Sequence, residues 1–202
     1  RAYYPSVDFK QFVDFFHVGM KVNDSAIIYL HQDINNRYNQ YYTDNTNILN
    51  TEIENTYFNI KIRQTDFALV KENIIAKRYT IVNGNKLDLD LSFLVRSKLY
   101  SNDNNMVSGK VIDNGLIQYN HDFSFSIFTN KNISGHRIND VETCFREAVL
   151  NDKDYIGMSN DSAVSYNLGQ LKSGDQIDFT LFIYIENNNN IKNMEELEEK
   201  IE

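Results

Sequence analysis

Tryptophan is absent from this chain, cysteine and proline occur once each, and glycine occurs only 8 times in 202 residues. Each scarcity excludes something. A solitary Cys144 rules out an internal disulfide. Flanked by Thr143 and Phe145, it reads as a small buried apolar residue rather than a nucleophile. The histidines (His17, His31, His121, His136) are scattered, and none has a second His or Cys at zinc-ligand spacing. No glycine-rich phosphate loop is present, and no serine sits in a G-x-S-x-G elbow. No apolar run approaches the roughly 20 residues that span a bilayer. No basic cluster offsets the net charge of −8, which disfavours nucleic acid and anionic membranes as partners. No cofactor is expected, and a cytoplasmic protein fits the cysteine usage best.

What is abundant is β-forming and aromatic. There are 13 Tyr and 13 Phe, and 42% of residues are hydrophobic. The stretch 74–95 is the organising piece. Leu87, Leu89, Leu91, Phe93 and Val95 alternate with Asp88, Asp90 and Ser92. Side chains on a strand switch faces at every residue, so this is a strand with one dry and one wet face. Ile75, Tyr79, Thr80, Ile81 and Val82 precede it, with Asn83-Gly84-Asn85 between. Asn and Gly suit a tight turn, so the spacing predicts a long antiparallel hairpin at the centre of a large sheet.

Similar patterns recur along the chain. Strands are expected over 12–20, 26–30, 48–53, 57–62, 106–112, 115–119, 123–127, 163–168 and 177–185. Residues 33–46 are polar and tyrosine-rich, and 129–140 read as a loop. Residues 141–150 suggest a short helix. Many short strands, regular turns and little helix predict an all-β fold: a large two-layer antiparallel β-sandwich, spanning residues 1–186. From 187 to 202 the pattern changes. Asn193 can cap a helix with Glu196 three residues on, and Met194, Leu197 and Ile201 share one helical face. These residues read as a short C-terminal linker helix, leading into a further domain. The chain opens on Arg1 and runs into Tyr3-Tyr4-Pro5, as a cut end would.

Candidate chemistry is sparse. Asp88 and Asp90 lie on the wet face of a strand, where a solvated pair is expected. Asp152, Asp154 and Asp161 do not reproduce calcium-loop spacing. A Ser-His-Asp set assembles in space and is left open by sequence. Tyr3-Tyr4 and Tyr41-Tyr42 are amphipathic rings beside polar loops, suited to a sugar or to a partner domain. Tyr3 and Tyr4, beside Pro5, are the candidate binding residues.

Four stretches taken in order (Tyr3-Tyr4-Pro5-Ser6-Val7, residues 40–53, residues 78–93 and residues 162–185) resemble the N-terminal domain of glucoamylase-type glycoside hydrolases of bacteria and archaea, family fifteen with its trehalase-like members. The resemblance implies a super-sandwich joined by a helical linker to an (α/α)-barrel that inverts the anomeric centre with two glutamate side chains. Both lie in the barrel, so no catalytic residue of this chain is implied. Tyr3 and Tyr4 would face the interdomain surface or the rim of the substrate site. The downstream barrel of the same polypeptide, and an oligosaccharide, are the implied partners. Two other readings remain: a free-standing carbohydrate-binding module with tyrosine platforms, and a purely structural interaction domain.

Overall fold

The computed structural model describes residues 2–3, 11–69, 73–100, 107–112, 114–120 and 123–187. In chain order the strands are β1 (Ala2–Tyr3), β2 (Gln11–Val22), β3 (Ile28–Tyr29), β4 (Asn36–Tyr42), β5 (Leu49–Asn55), β6 (Ile60–Ala68) and β7 (Ile74–Asn83). They continue with β8 (Leu89–Leu99), β9 (Ser108–Ile112), β10 (Gly115–Tyr119), β11 (Phe123–Thr129) and β12 (Ile133–Ile138). A single-turn helix α1 (Glu142–Arg146) precedes β13 (Asp161–Leu171) and β14 (Gln176–Asn187). The linker helix expected near the C-terminus lies outside the described residues.

The strands form two antiparallel sheets. One runs β1-β2-β8-β13-β12, with β3 pairing a separate part of β2. The other has eight strands in the order β4-β5-β6-β7-β14-β11-β10-β9. The all-β sandwich read from the sequence is therefore the observed fold. Its core is made by the two inner faces. Met20, Phe93, Val95 and Tyr166 come from the smaller sheet, and Ile62, Tyr79, Ile81 and Phe179 from the larger. Rings cross the seam: Phe93 lies 4.7 Å from Tyr79 and 4.9 Å from Phe179 between centroids.

The expected central hairpin is not one. β7 pairs β6 and β14 in the larger sheet, while β8 pairs β2 and β13 in the smaller. Residues 84–88 are an arch that carries the chain from one layer to the other. Alternation identifies a strand with one dry face, but two strands facing each other across a core show the same alternation as two neighbours in a sheet. Leu87, assigned to the dry face, sits in the arch and is exposed. Gly84 is there for space: a Cβ on it would lie 2.8 Å from the carbonyl oxygen of Asn59.

A second arch, residues 172–175, joins β13 to β14 at the same end. Asn83 ties the two together. Its Nδ2 donates to the carbonyls of Leu87 and Leu171, both at 2.9 Å, and its Oδ1 accepts from the Asn85 N–H at 2.8 Å. Its backbone N–H donates to Asp175 O, and its carbonyl accepts from Gly174 N. The residue is fully buried. Elsewhere Gln118 of β10 bridges the layers in a similar way, its Nε2 donating to the Asn160 carbonyl at 3.0 Å.

Three strands were not foreseen: β1 and β12, at the two edges of the smaller sheet, and β4, at one edge of the larger; the sequence marked 33–46 only as polar and tyrosine-rich and read 129–140 as a loop. The helix is shorter than expected. With Val141, Ala148 and Leu150 it caps Leu94 and Ala163 on the outer face of the smaller sheet.

Replacing Asn83 with Ala strands the buried Leu171 carbonyl and removes two part-buried bonds, to Leu87 O and from Asn85 N, so a loss of about 2–4 kcal/mol is expected in urea unfolding. Asn39→Ala, on an exposed strand, is the matched control and should change stability by less than about 0.5 kcal/mol. Equal effects from the two variants would refute the tie.

Candidate functional site

A trough of about 1240 Å³ lies on the outer face of the eight-stranded sheet. Strand pairing builds its floor from rungs of mostly polar residues. One rung runs Asn39, Glu52, Arg63, Thr80 and Asp178 across five strands. A neighbouring rung runs Arg37, Glu54, Lys61, Val82 and Gln176. Opposite charges meet across strands, the usual way a solvated sheet face is stabilised. Glu52 accepts from Asn39 Nδ2 at 3.2 Å and from the Tyr41 hydroxyl at 3.3 Å. Asp178 accepts from the Thr80 hydroxyl and lies 3.8 Å from Arg78. Phe67 and Phe182 close the trough at one end.

A second recess of about 550 Å³ opens between the sheets at the β2 edge. β1 pairs β2 at Gln11 and Val13, and β3 pairs it at Gly19 and Met20. Between them, among the described residues, no strand covers that edge. The floor is apolar: Phe16, Val18, Leu30 and Ile53. The far wall is the inner face of the larger sheet, where Gln40, Thr51 and Gln64 lie in register with the buried Tyr79. Gln40 Nε2 donates to Thr51 Oγ1 at 2.9 Å, and Gln64 Nε2 to Asp66 Oδ2 at 2.7 Å. Lys77 Nζ sits 2.9 Å from Asp66 Oδ1, so its charge is matched.

Two histidines form the rim. The rings of His17 and His31 stack with centroids 4.8 Å apart, and Phe15 stacks on His17 at 4.6 Å. Burial, then the charges of His31 and Arg96, push the His17 pKa below its usual value, with Asp161 opposing. Partial burial lowers that of His31 as well. Both imidazoles are therefore neutral at pH 7.

The carboxylates noted in the sequence are engaged elsewhere. Asp161 grips Arg96 with two bonds, Oδ1 to Nε at 2.9 Å and Oδ2 to Nη2 at 2.6 Å. Asp152 and Asp154 flank the His136 ring at 3.3 and 3.0 Å. Asp88 and Asp90 are exposed. Among the described residues no three His, Cys, Asp or Glu side chains converge as a metal site would require. Tyr3 belongs to β1, where it pairs with Gln11. Tyr4 lies outside the described residues. Tyr41 and Tyr42 are exposed on β4.

Sequence reading missed the recess because its parts come from β2, β4, β5, β6, β7 and the turn after β3. One signal was present. Thr51 and Gln64 share the strand parity of Ile53 and Ile62, so they are polar residues on a face otherwise kept dry.

This geometry has solved counterparts. A bacterial glucoamylase in complex with acarbose superposes on 83% of this chain with a TM-score of 0.59 at 15% identity. The chain shares that sandwich. It covers only 26% of the glucoamylase chain. A putative kojibiose phosphorylase from human microbiome matches 94% of this chain and 24% of its own, with a TM-score of 0.51 at 12% identity. This chain thus spans about a quarter of either relative, and at these identities the likeness is one of fold. The glucoamylase is of the kind that the sequence stretches above resemble. No protein-family model matches the sequence, and no curated protein gives a significant match.

Depressed histidine pKa values make folding oppose protonation. The unfolded chain binds protons more readily below about pH 6.5, so this contribution is full above that value and is lost as pH falls through the lower folded-state pKa. Between about pH 7 and pH 5 the melting temperature of wild type should fall more steeply than that of His17→Phe. Parallel slopes would show that the stacked pair does not oppose protonation.

Proposed function

We propose that this chain is the non-catalytic N-terminal sandwich domain of a glucoamylase-like inverting hydrolase acting on α-glucans or α-linked disaccharides. The observation that carries the reading is the sandwich shared with about a quarter of a bacterial glucoamylase. The ordered sequence resemblance supports it. An inverting enzyme needs one carboxylic acid to protonate the leaving oxygen and a carboxylate on the opposite face of the sugar, separated widely enough to admit water. A barrel following residue 202 supplies both in this reading. The sandwich buttresses it, and Tyr3 and Tyr4 contribute to the shared surface or to the rim of the substrate site.

The chain alone should release no glucose from maltotriose or trehalose, while the parent protein extended past Glu202 should. Turnover by the isolated chain, or a natural gene that ends at Glu202, refutes the proposal. In the extended protein, replacing both Tyr3 and Tyr4 with Ala should lower the melting temperature or raise KM. Unchanged values would remove those tyrosines from the interface.

A further inference from the structure

We infer that the recess between β2 and the inner face of β4–β6 is a binding site for a neutral sugar, one or two pyranose rings in size. Three observations on its lining converge. The first is size and surface. At about 550 Å³ with an apolar floor of Phe16, Val18, Leu30 and Ile53, it falls within the range of small-molecule pockets. The C–H face of a pyranose is apolar and suits such a floor.

The second is the unused hydrogen-bonding capacity. The amide nitrogens of Gln40 and Gln64 are spent on Thr51 and Asp66, which leaves both Oε1 atoms to accept. Thr51 accepts from Gln40 and Tyr38 accepts from Asn36, so each hydroxyl hydrogen is left to donate. The ring nitrogens of His17 and His31 have no side-chain partner among the described residues. Both donors and acceptors are thus present in the lining. A sugar hydroxyl, which is both, satisfies such a lining where a purely accepting or purely donating ligand does not.

The third is charge. Lys77 and Asp66 neutralise each other at 2.9 Å, and the imidazoles are neutral at pH 7. The lining offers no net charge to attract an ion. The trough on the opposite face is different. Arg37, Lys61, Arg63 and Arg78 face Glu52, Glu54 and Asp178 there, and the bound form would have to break those pairings.

The choice of a sugar among neutral ligands rests on the glycoside reading above; the position of the site does not. The test is an amide-shift NMR titration of the 202-residue chain with maltose at neutral pH. Saturable shifts are expected at Val18, Thr51 and Gln64, with a Kd of about 1 mM or weaker for so small a contact. His31→Ala and Gln64→Leu, both at positions partly open to solvent, should each weaken binding about fivefold, the loss of one neutral hydrogen bond, with unchanged melting temperature. Absence of saturation, or shifts centred on Arg63 and Thr80 in the trough, overturns the site. The two proposals fail separately. A parent enzyme that cleaves maltotriose while this chain ignores maltose sinks the recess alone. A parent without glycoside activity whose sandwich still saturates at Thr51 sinks the proposed function alone.

Discussion

Two arches cross from one sheet to the other at the same end of the molecule, held in register by the buried Asn83 amide and by Ser173, which donates to Asn85 O and to Asp88 Oδ1. Asn83 closes β7, and its side chain reaches into the arch it begins and into the arch that ends β13. Everything that follows in the sandwich depends on that crossing. β7 and β14 are neighbours in one layer because β8 and β13 are neighbours in the other. If the arches slipped by one residue, every side chain on the following strand would change face. Phe93 would leave the seam where it meets Tyr79 and Phe179. A buried polar residue with all its groups bonded fixes the alignment in a way that apolar packing alone, tolerant of sliding, does not.

The sequence revealed the strands better than it revealed their partners. β8 was legible because Leu89, Leu91, Phe93 and Val95 are buried and the residues between them mark the other face. Whether β7 and β8 lie side by side or face to face was not legible. That depends on which sheet each joins, and the pairing residues of β8 lie far along the chain in β2 and β13. β4 escaped for a different reason. It is an edge strand whose residues after Asn36 are all exposed, so it has no dry face to alternate with. β12 carries Gly135, whose missing Cβ keeps clear of the Ser165 hydroxyl, and its short mixed pattern resembles a loop. Turn chemistry succeeded where the turn is local: Gly115 does start the strand that pairs back onto β9.

The candidate sites divide along the same line. Residue types that commonly do chemistry are mostly engaged in holding the fold. Arg96 joins β8 to the start of β13 through Asp161, and lies 4.9 Å over the ring of Phe15. His136 anchors the excursion that follows α1 through Asp152 and Asp154. What remains uncommitted is quieter: amides, hydroxyls and neutral imidazoles at an open end between the layers. No sequence motif describes such a place. It arises because the eight-stranded sheet is wider than its partner and keeps its inward parity past the point where the smaller sheet stops.

The crossing arches also set an order for synthesis and folding. Thr80 meets Asp178 across two adjacent strands although 98 residues separate them in the chain. The meander from β4 to β7 can form from local contacts as it emerges, but its open side waits for β14. Until then β7 is an unprotected edge with a full row of free amides and carbonyls. Folds dominated by such distant pairings close slowly. In a chain of this architecture β7 stays an open edge until the second arch brings β14 against it.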